Sequence, residues 1–541
     1  MGVKTVLAKT IWTATIALAF YSMGCEANSK TVNNFKLLEG HGPLAFVSST
    51  VEGDWIVEGD IILAGEPAQV SFLFGMQPST ERYLSLDLCV DRSELVRHVE
   101  GQSKILSTYS GAGELPWRVK ICKRATYYFF YVNDHYMGFT FRPSLGIPPN
   151  RLPARGEQPA VFGSPEALGR IKSPAEPQAT QVAVKFLTTG RHELGDVRIE
   201  KIKVGERISD PLIVPGPEGS WNDWQSVPGA YLEYEGVHYM YLIGGKLEDL
   251  TLEGGGHTVN GLATSSDLYH WNVSDELVLG LGPEGAWDSV LVMVCGAVRT
   301  PNGKFAITYM GWNGTTWGGI GLATADHPAG PFTKHPQNPV LRPDTNSWDP
   351  LIHVHTLLQE NNKYVMLYCG ADSNRATWDI IGLATSQDLV TWTKHPANPV
   401  FVSEGMDRYD SLVLRPGSLF KHGEYYYLFF EAAGKRLKFE PDEGGFQVGG
   451  DFVAMDTIGL ARSKNLIDWQ RHPWNPAIPA RADFDGCWTA WPVAVPRDDS
   501  VYVYYAASPG IGYGDTAMTL STGLIKFDYK ELENWGNTEK D

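Results

Sequence analysis

The stretch "YYYLFFEAAG", residues 425–434, closes a run of aromatic, strand-like residues on a carboxylate, Glu431. Three sibling stretches, "HYMYLIGG", "FAITYMGW" and "YVMLYCGA", read in the same frame with glycine in that place: Gly244, Gly311 and Gly370. An aspartate stands ahead of each run, at Asp223, Asp288, Asp349 and Asp410 in "WNDW", "AWDS", "SWDP" and "RYDS", with a fifth, Asp485, in "DFDG". Counted back from the turn residues Gly236, Asn362 and Gly423, Asp223, Asp349 and Asp410 fall in register; Asp288 and Asp485 join them after a two-residue insertion. Carboxyl groups crowded into a low-dielectric funnel separate into protonated and ionised members. Cleavage of a glycosidic bond needs such a division: one carboxyl protonates the leaving oxygen, and the other activates water or attacks the anomeric carbon. Aspartate beside an aromatic residue also forms turns through its own backbone, so two or three of the five are expected to be structural. Glu431 breaks the pattern and is set apart.

These acids sit in a chain that repeats itself from about residue 206. Four segments share a core, "VNGLATSSDLYHW", "GIGLATADHPAGPF", "IIGLATSQDLVTW" and "TIGLARSKNLIDW", and three run on into "KHPQNPV", "KHPANPV" and "RHPWNPA". A weaker fifth copy, "LSTGLIKFDY", lies near the C-terminus. Each unit is mostly strand and too short to bury a core alone, which predicts a five-bladed β-propeller. In an antiparallel hairpin the start of one strand and the end of the next lie on the same side. Asp223, Asp288, Asp349, Asp410 and Glu431 are therefore expected to converge on one mouth of the central channel. His353 and His355 alternate in "LIHVHT" and are expected to face one way. Trp221, Trp287, Trp348 and Trp488 flank the aspartates and can stack on sugar rings, and His257 lies on the glycine-rich loop "LEGGGHTVNG".

Residues 26–205 read as short alternating strands between turns, the pattern of a β-sandwich with one wet face on each sheet. The whole chain is thus expected to be all-β, a β-sandwich followed by a propeller over 206–541. The 57 glycines, 34 prolines and 12% aromatic content agree with many turns and short strands. A net charge of −17 argues against nucleic acid as a partner. Residues 1–25, "MGVKTVLAKTIWTATIALAFYSMGC", have the lysines, apolar run and Gly-Cys end of an export signal. The remaining cysteines fit no zinc spacing; Cys89 and Cys122 lie in strand-like runs and either pair or are plain buried thiols.

Residues 206–541 resemble the five-bladed propeller glycosidases, the group of glycoside hydrolase families 32, 43, 117 and 130. The openings "WDS", "WDP" and "YDS" and the "IGLATSxDLxxW…KHPxNPV" strands carry the resemblance. It implies that Asp223 matches a first-blade base or nucleophile and Asp288 a second-blade acid that tunes pKa and holds the sugar. The third blade carries Asp349 where families 32 and 43 have glutamate, which makes Glu431 the substitute proton donor. It implies a carbohydrate substrate bound with help from Asp410, no required cofactor, and a channel with room for a histidine or for a structural cation such as calcium. Residues 26–205 resemble concanavalin-like jelly rolls, on "LPWRVKICKRATYYFFYVNDHYMGF" and "GDVRIEKIKVG". The leader resembles a bacterial lipoprotein signal lipidated at Cys25. The protein is accordingly expected to be a monomeric, exported, inverting glycoside hydrolase that meets the membrane only through a lipid anchor at the outer membrane, on the periplasmic or outer surface, the alternative being a secreted or periplasmic soluble protein. Two alternatives stand beside it. A phosphorylase would draw on Arg375, Lys435 or Arg436 for phosphate, and a non-catalytic glycan-binding lipoprotein would use the acids structurally.

Overall fold

The computed structural model describes residues 31–32, 35–37, 45–48, 54–64, 69–76, 82–99, 102–124, 127–133, 135–141, 181–186, 192–202, 204–246, 249, 257–361, 363–371, 380–403, 409–410, 413–433, 457–479, 485, 488–508 and 520–533. The leader with Cys25, the basic residues Arg375, Lys435 and Arg436, and Cys487 lie outside them. The fold is all-β; the one α-helix among the described residues is the short Tyr529–Glu533, and no helix there is long and apolar enough to cross a membrane. The described residues of 31–202 form one compact unit and those of 204–533 another.

The first unit is two antiparallel sheets. One has eight strands with Gln69–Met76, Arg82–Cys89, Arg92–Val99 and Gln102–Ser110 at one end; the other has five and is built around Asp54–Ala64 and Trp117–Arg124. Their inner faces follow the two-residue strand period. Trp55, Val57, Ile61, Trp117, Val119 and Ile121 from the smaller sheet share a core with Val70, Phe72, Phe74, Leu84, Leu86 and Leu88 from the larger. Trp55 and Trp117 have no exposed surface, and the Trp117 indole donates to the Gly113 carbonyl at 2.8 Å. Cys89 is a free thiol.

The second unit is the propeller. Blade 1 consists of Gln225–Tyr234, Val237–Gly245, Thr258–Ser265 and Asn272–Val273, and blade 2 of Leu291–Arg299, Phe305–Trp312, Trp317–Ala325 and Thr333–Lys334. Blade 3 is Leu351–Glu360, Lys363–Ala371, Ile380–Ser386 and Trp392–Lys394, and blade 4 is Val413–His422, Tyr425–Ala433, Thr457–Ser463 and Gln470–Arg471. Blade 5 takes Trp488–Pro496, Ser500–Ser508 and Ser521–Asp528 from the end of the chain. Its outer strand, Glu206–Arg207, comes from the start of the unit and pairs with Lys526 and Ile525, closing the ring.

The repeated sequence phrases now have structural meanings. In "SSDLYHW" the Ser265 hydroxyl accepts the Leu268 N–H at 2.9 Å and Asp267 accepts from Tyr269 and His270, so the chain reverses after the third strand. Leu268 turns inward at φ 71° and its carbonyl accepts the Trp271 indole N–H. Ser386–Leu389–Trp392 and Ser463–Leu466–Trp469 repeat the device. The asparagine of each "NP" phrase stitches the return to the third strand: Asn338 bonds both backbone groups of Leu322, Asn398 those of Leu383, and Asn475 those of Leu460.

Inner strands meet at the axis, where Val227, Ile243, Met293, Met310, Val354, Cys369, Trp491 and Ala506 form one apolar cluster. Every inner strand is irregular there, with register shifts at Pro228/Ala230, Val294/Gly296, Ile352/His355, Pro416/Ser418 and Ala490/Val493. Such bulges bend the strand and re-aim its side chains. Gly229 and Gly417 occupy two of them, where a β-carbon would collide with Val294 or Pro492 of the neighbouring blade.

Candidate functional site

Four of the five recurrent aspartates are held inside their own blades. Asp288 receives Lys334 Nζ at 2.7 Å and the Tyr309 hydroxyl at 3.2 Å; Asp349 receives Lys394 Nζ at 2.6 Å and the Tyr368 hydroxyl at 2.9 Å. Asp410 pairs with Arg471 at 2.5 Å, and Asp485 pairs with Arg207 and accepts from Tyr505 at 3.0 Å. Each tyrosine comes from the second strand and each cation from the outer strand, so one carboxylate ties a blade across its width. Asn338 and Asn398 extend the network by donating to Tyr309 and Tyr368. All four carboxylates are buried.

Blade 1 explains the pattern by exception. The Asn222 carbonyl accepts the Gly216 N–H as those of Asp288 and Asp349 accept from Gly282 and Asp344. Asn222 also lies against Gly244 as they lie against Gly311 and Gly370. The blade-1 counterpart of the recurrent aspartate is therefore Asn222, and Asp223 is one position further on. Opposite Ala263, where Ala323, Ala384 and Ala461 face Lys334, Lys394 and Arg471, stands Val273. With no cation there is no carboxylate. Asp288 and Asp349, expected to be catalytic, and Asp410, expected to hold substrate, are thus each paired with a cation of their own blade.

The tryptophans follow. A β-carbon at Gly244 or Gly261 would overlap Trp221, one at Gly311 or Gly318 would meet Trp287, and one at Gly370 or Gly382 would meet Trp348. Each ring lies across the glycines of its own blade, and Trp287 and Trp348 stand 5.6 Å from the rings of Tyr309 and Tyr368. These three are packing residues rather than sugar platforms. The side chain of Trp488 lies outside the described residues. Where the aromatic becomes Tyr409, the glycine becomes Ala432, which pairs with Leu414 as Gly311 pairs with Val292. Glu431 is thus the counterpart of Ile243, Met310, Cys369 and Ala506, not of the glycines.

That places Glu431 at the axis. It lines a cavity to which all five blades contribute: Pro228–Gly229, Val294–Cys295, Val354–His355, Pro416–Gly417 and Trp491–Pro492, with Ile243 and Met293. The cavity has a volume of about 20 Å³, room for about one water molecule. Glu431 is the one acidic residue among those lining it, and of the five expected acids it alone lines it. Arg415 Nη1, on the paired inner strand, donates to Glu431 Oε1 at 2.6 Å. The carboxylate is 1% exposed and the guanidinium 24%. A cation at this distance favours the ionised carboxylate, and burial this deep opposes it.

Asp223 stands just ahead of the inner strand of blade 1, half-buried, and its Oδ2 accepts the Gly219 N–H at 2.7 Å. The histidines separate. The bulge between Ile352 and His355 breaks the alternation of His353 and His355. His353 is buried on the same strand, whereas His355 reaches Thr308 Oγ1 of blade 2 at 2.8 Å. Burial pushes the His355 pKa down to about 3, so the ring is neutral and offers no acid. His257 is exposed, 3.7 Å from Asp249. Burial raises the Cys295 thiol to about 12, which removes it as a nucleophile. Among the described residues no group of three or more His, Cys, Asp or Glu is placed to hold a metal ion.

No family model and no curated protein matches the chain. Solved structures do. A glycoside hydrolase shares 19% identity at a TM-score of 0.45, over 60% of this chain and 92% of its own. A glycosyl hydrolase from Bacteroides ovatus shares 16% at 0.44, over 61% and 95%. The β-1,2-mannobiose phosphorylase from Listeria innocua, in complex with β-1,2-mannobiose, shares 14% at 0.45, over 62% and 99%.

Proposed function

We propose that the propeller is a glycoside hydrolase that cleaves O-glycosidic bonds of a poly- or oligosaccharide, with the β-sandwich as an accessory unit. One observation carries this. Once the recurrent aspartates are assigned to their blades, Asp223 and Glu431 remain as acids without a counterpart in the repeat, and Glu431 faces the axis where all blades meet. A repeated residue serves what is repeated; a residue that occurs once in a ring serves what the ring does once.

Asp223 is the water-activating base, in line with the sequence resemblance. Glu431, paired with Arg415, stabilises the positive charge that develops at the anomeric carbon. Neither is set as the proton donor, so that role falls to a third group. Asp223 is not among the residues lining the cavity with Glu431.

The test is a panel of polysaccharides incubated with the purified protein, with and without inorganic phosphate, reading reducing ends and the anomer first formed. Phosphate-independent release of an inverted product supports the proposal. Release only with phosphate, as a sugar 1-phosphate, makes the protein a phosphorylase. Saturable binding without release makes it a glycan-binding protein.

A further inference from the structure

Blade 1 departs from the repeat at two more positions beside Asp223, Trp224 and Gln225. Gln225 pairs with Gly245, the last residue of the second strand; the residues in the same pairing elsewhere are Leu291, Leu351, Val413 and Trp488. Four blades thus place an apolar residue where blade 1 places an amide. Gln225 is 2% exposed, and its Oε1 is buried with no hydrogen-bond partner. The preceding residue, Trp224, packs against the axial cluster, and its Nε1 is likewise buried without a partner. Both groups flank Gly245, where a β-carbon would lie 3.4 Å from Gln225 Nε2 and 3.5 Å from the Trp224 ring. Their backbone is fixed: the Trp224 N–H donates to the Gly245 carbonyl and the Trp224 carbonyl accepts from Leu520, both at 3.1 Å.

A buried amide oxygen and a buried indole N–H without partners destabilise the folded chain, and leucine or valine in their place would not. Departures from local consistency of this kind are kept where a ligand completes them. We propose that Trp224 and Gln225, next to Asp223, form the subsite that grips the sugar at the scissile bond. A sugar hydroxyl donates to Gln225 Oε1, a sugar oxygen accepts from Trp224 Nε1, and the C–H face of the ring packs on the indole. Both groups are uncharged, so the subsite takes a neutral, hydroxyl-rich sugar rather than a uronate or a phosphorylated one. The subsite rests on the glycan-cleaving function proposed above.

Gln225→Leu tests it by separating stability from activity. The variant is expected to raise the denaturation midpoint, because an unpartnered amide is replaced by the residue blades 2 and 3 use, and to lower kcat/KM on the cleaved glycan by on the order of 100-fold. Trp224→Phe, which keeps a ring but deletes the N–H, is expected to cost about 10-fold in kcat/KM without loss of stability. A lowered midpoint in Gln225→Leu would show that the fold itself uses the amide and would overturn the inference. Unchanged kcat/KM in both variants would overturn the subsite while leaving the hydrolase standing. A wild-type protein that neither cleaves nor binds any glycan of the panel would overturn both.

Discussion

Asp349 has no exposed surface and holds Lys394 at 2.6 Å. Removing one member of a buried ion pair leaves the other uncompensated and costs about 3–5 kcal/mol. Asp349→Asn is therefore expected to lower the denaturation midpoint markedly while the folded fraction keeps turnover within a few-fold, measured by chemical denaturation alongside activity per folded molecule. A thousandfold loss of turnover at unchanged stability would return Asp349 to catalysis. The one-residue offset that hid this role was legible. Counting back from the hairpin turn put Asp223 in register because blade 3 is one residue shorter than blade 1 between Asn222 or Asp349 and its inner strand. The aromatic–Asp pairs, Trp287–Asp288, Trp348–Asp349 and Tyr409–Asp410, line up instead with Trp221–Asn222. Each also has its partner in the Lys or Arg of the "HPxNP" phrase, which blade 1 lacks. Which residue a given carboxylate touches depended on strand pairing, and no spacing rule supplies that.

The strands themselves were readable, because their phrases encode local backbone bonding: the serine and asparagine caps around the third and outer strands follow directly from "SxDLxxW" and "NP". The second strand was misread where chemistry seemed to vary, since its glycine is a space for a tryptophan of the same blade. Gly370→Ala should place a methyl group in the Trp348 ring and against the β-carbon of Asp349, costing about 1–3 kcal/mol by overpacking. Combining it with Trp348→Phe should recover part of that loss in the same denaturation assay. His355 links two blades through Thr308. Its folded pKa of about 3 lies below the ordinary 6.5, so as pH falls below about 6.5 the unfolded chain takes up a proton that the folded chain refuses. This contribution to stability is complete above about 6.5 and is lost progressively down to about 3. Stability measured against pH should fall across that window and fall less steeply in His355→Asn; an unchanged slope would contradict a neutral, buried ring.

A ring of five blades was legible from the repeats, and its closure by the strand Glu206–Arg207 was not, because a two-residue strand carries no periodicity. The leader reading predicts that Cys25→Ala moves the protein from the membrane to the soluble fraction of cells producing it; unchanged fractionation would contradict lipidation there. At the centre of the account stands Glu431, the acid that occurs once and faces the axis. The most direct measurement is the turnover of Glu431→Gln beside wild type on whichever glycan of the panel is cleaved, with the denaturation midpoint of each. The account predicts a loss on the order of 1,000-fold in kcat, the scale of a lost electrostatic stabiliser, in a protein that still folds as a propeller, since the side-chain volume is kept. Near-normal turnover in Glu431→Gln would contradict it and leave Glu431 only the partner of Arg415.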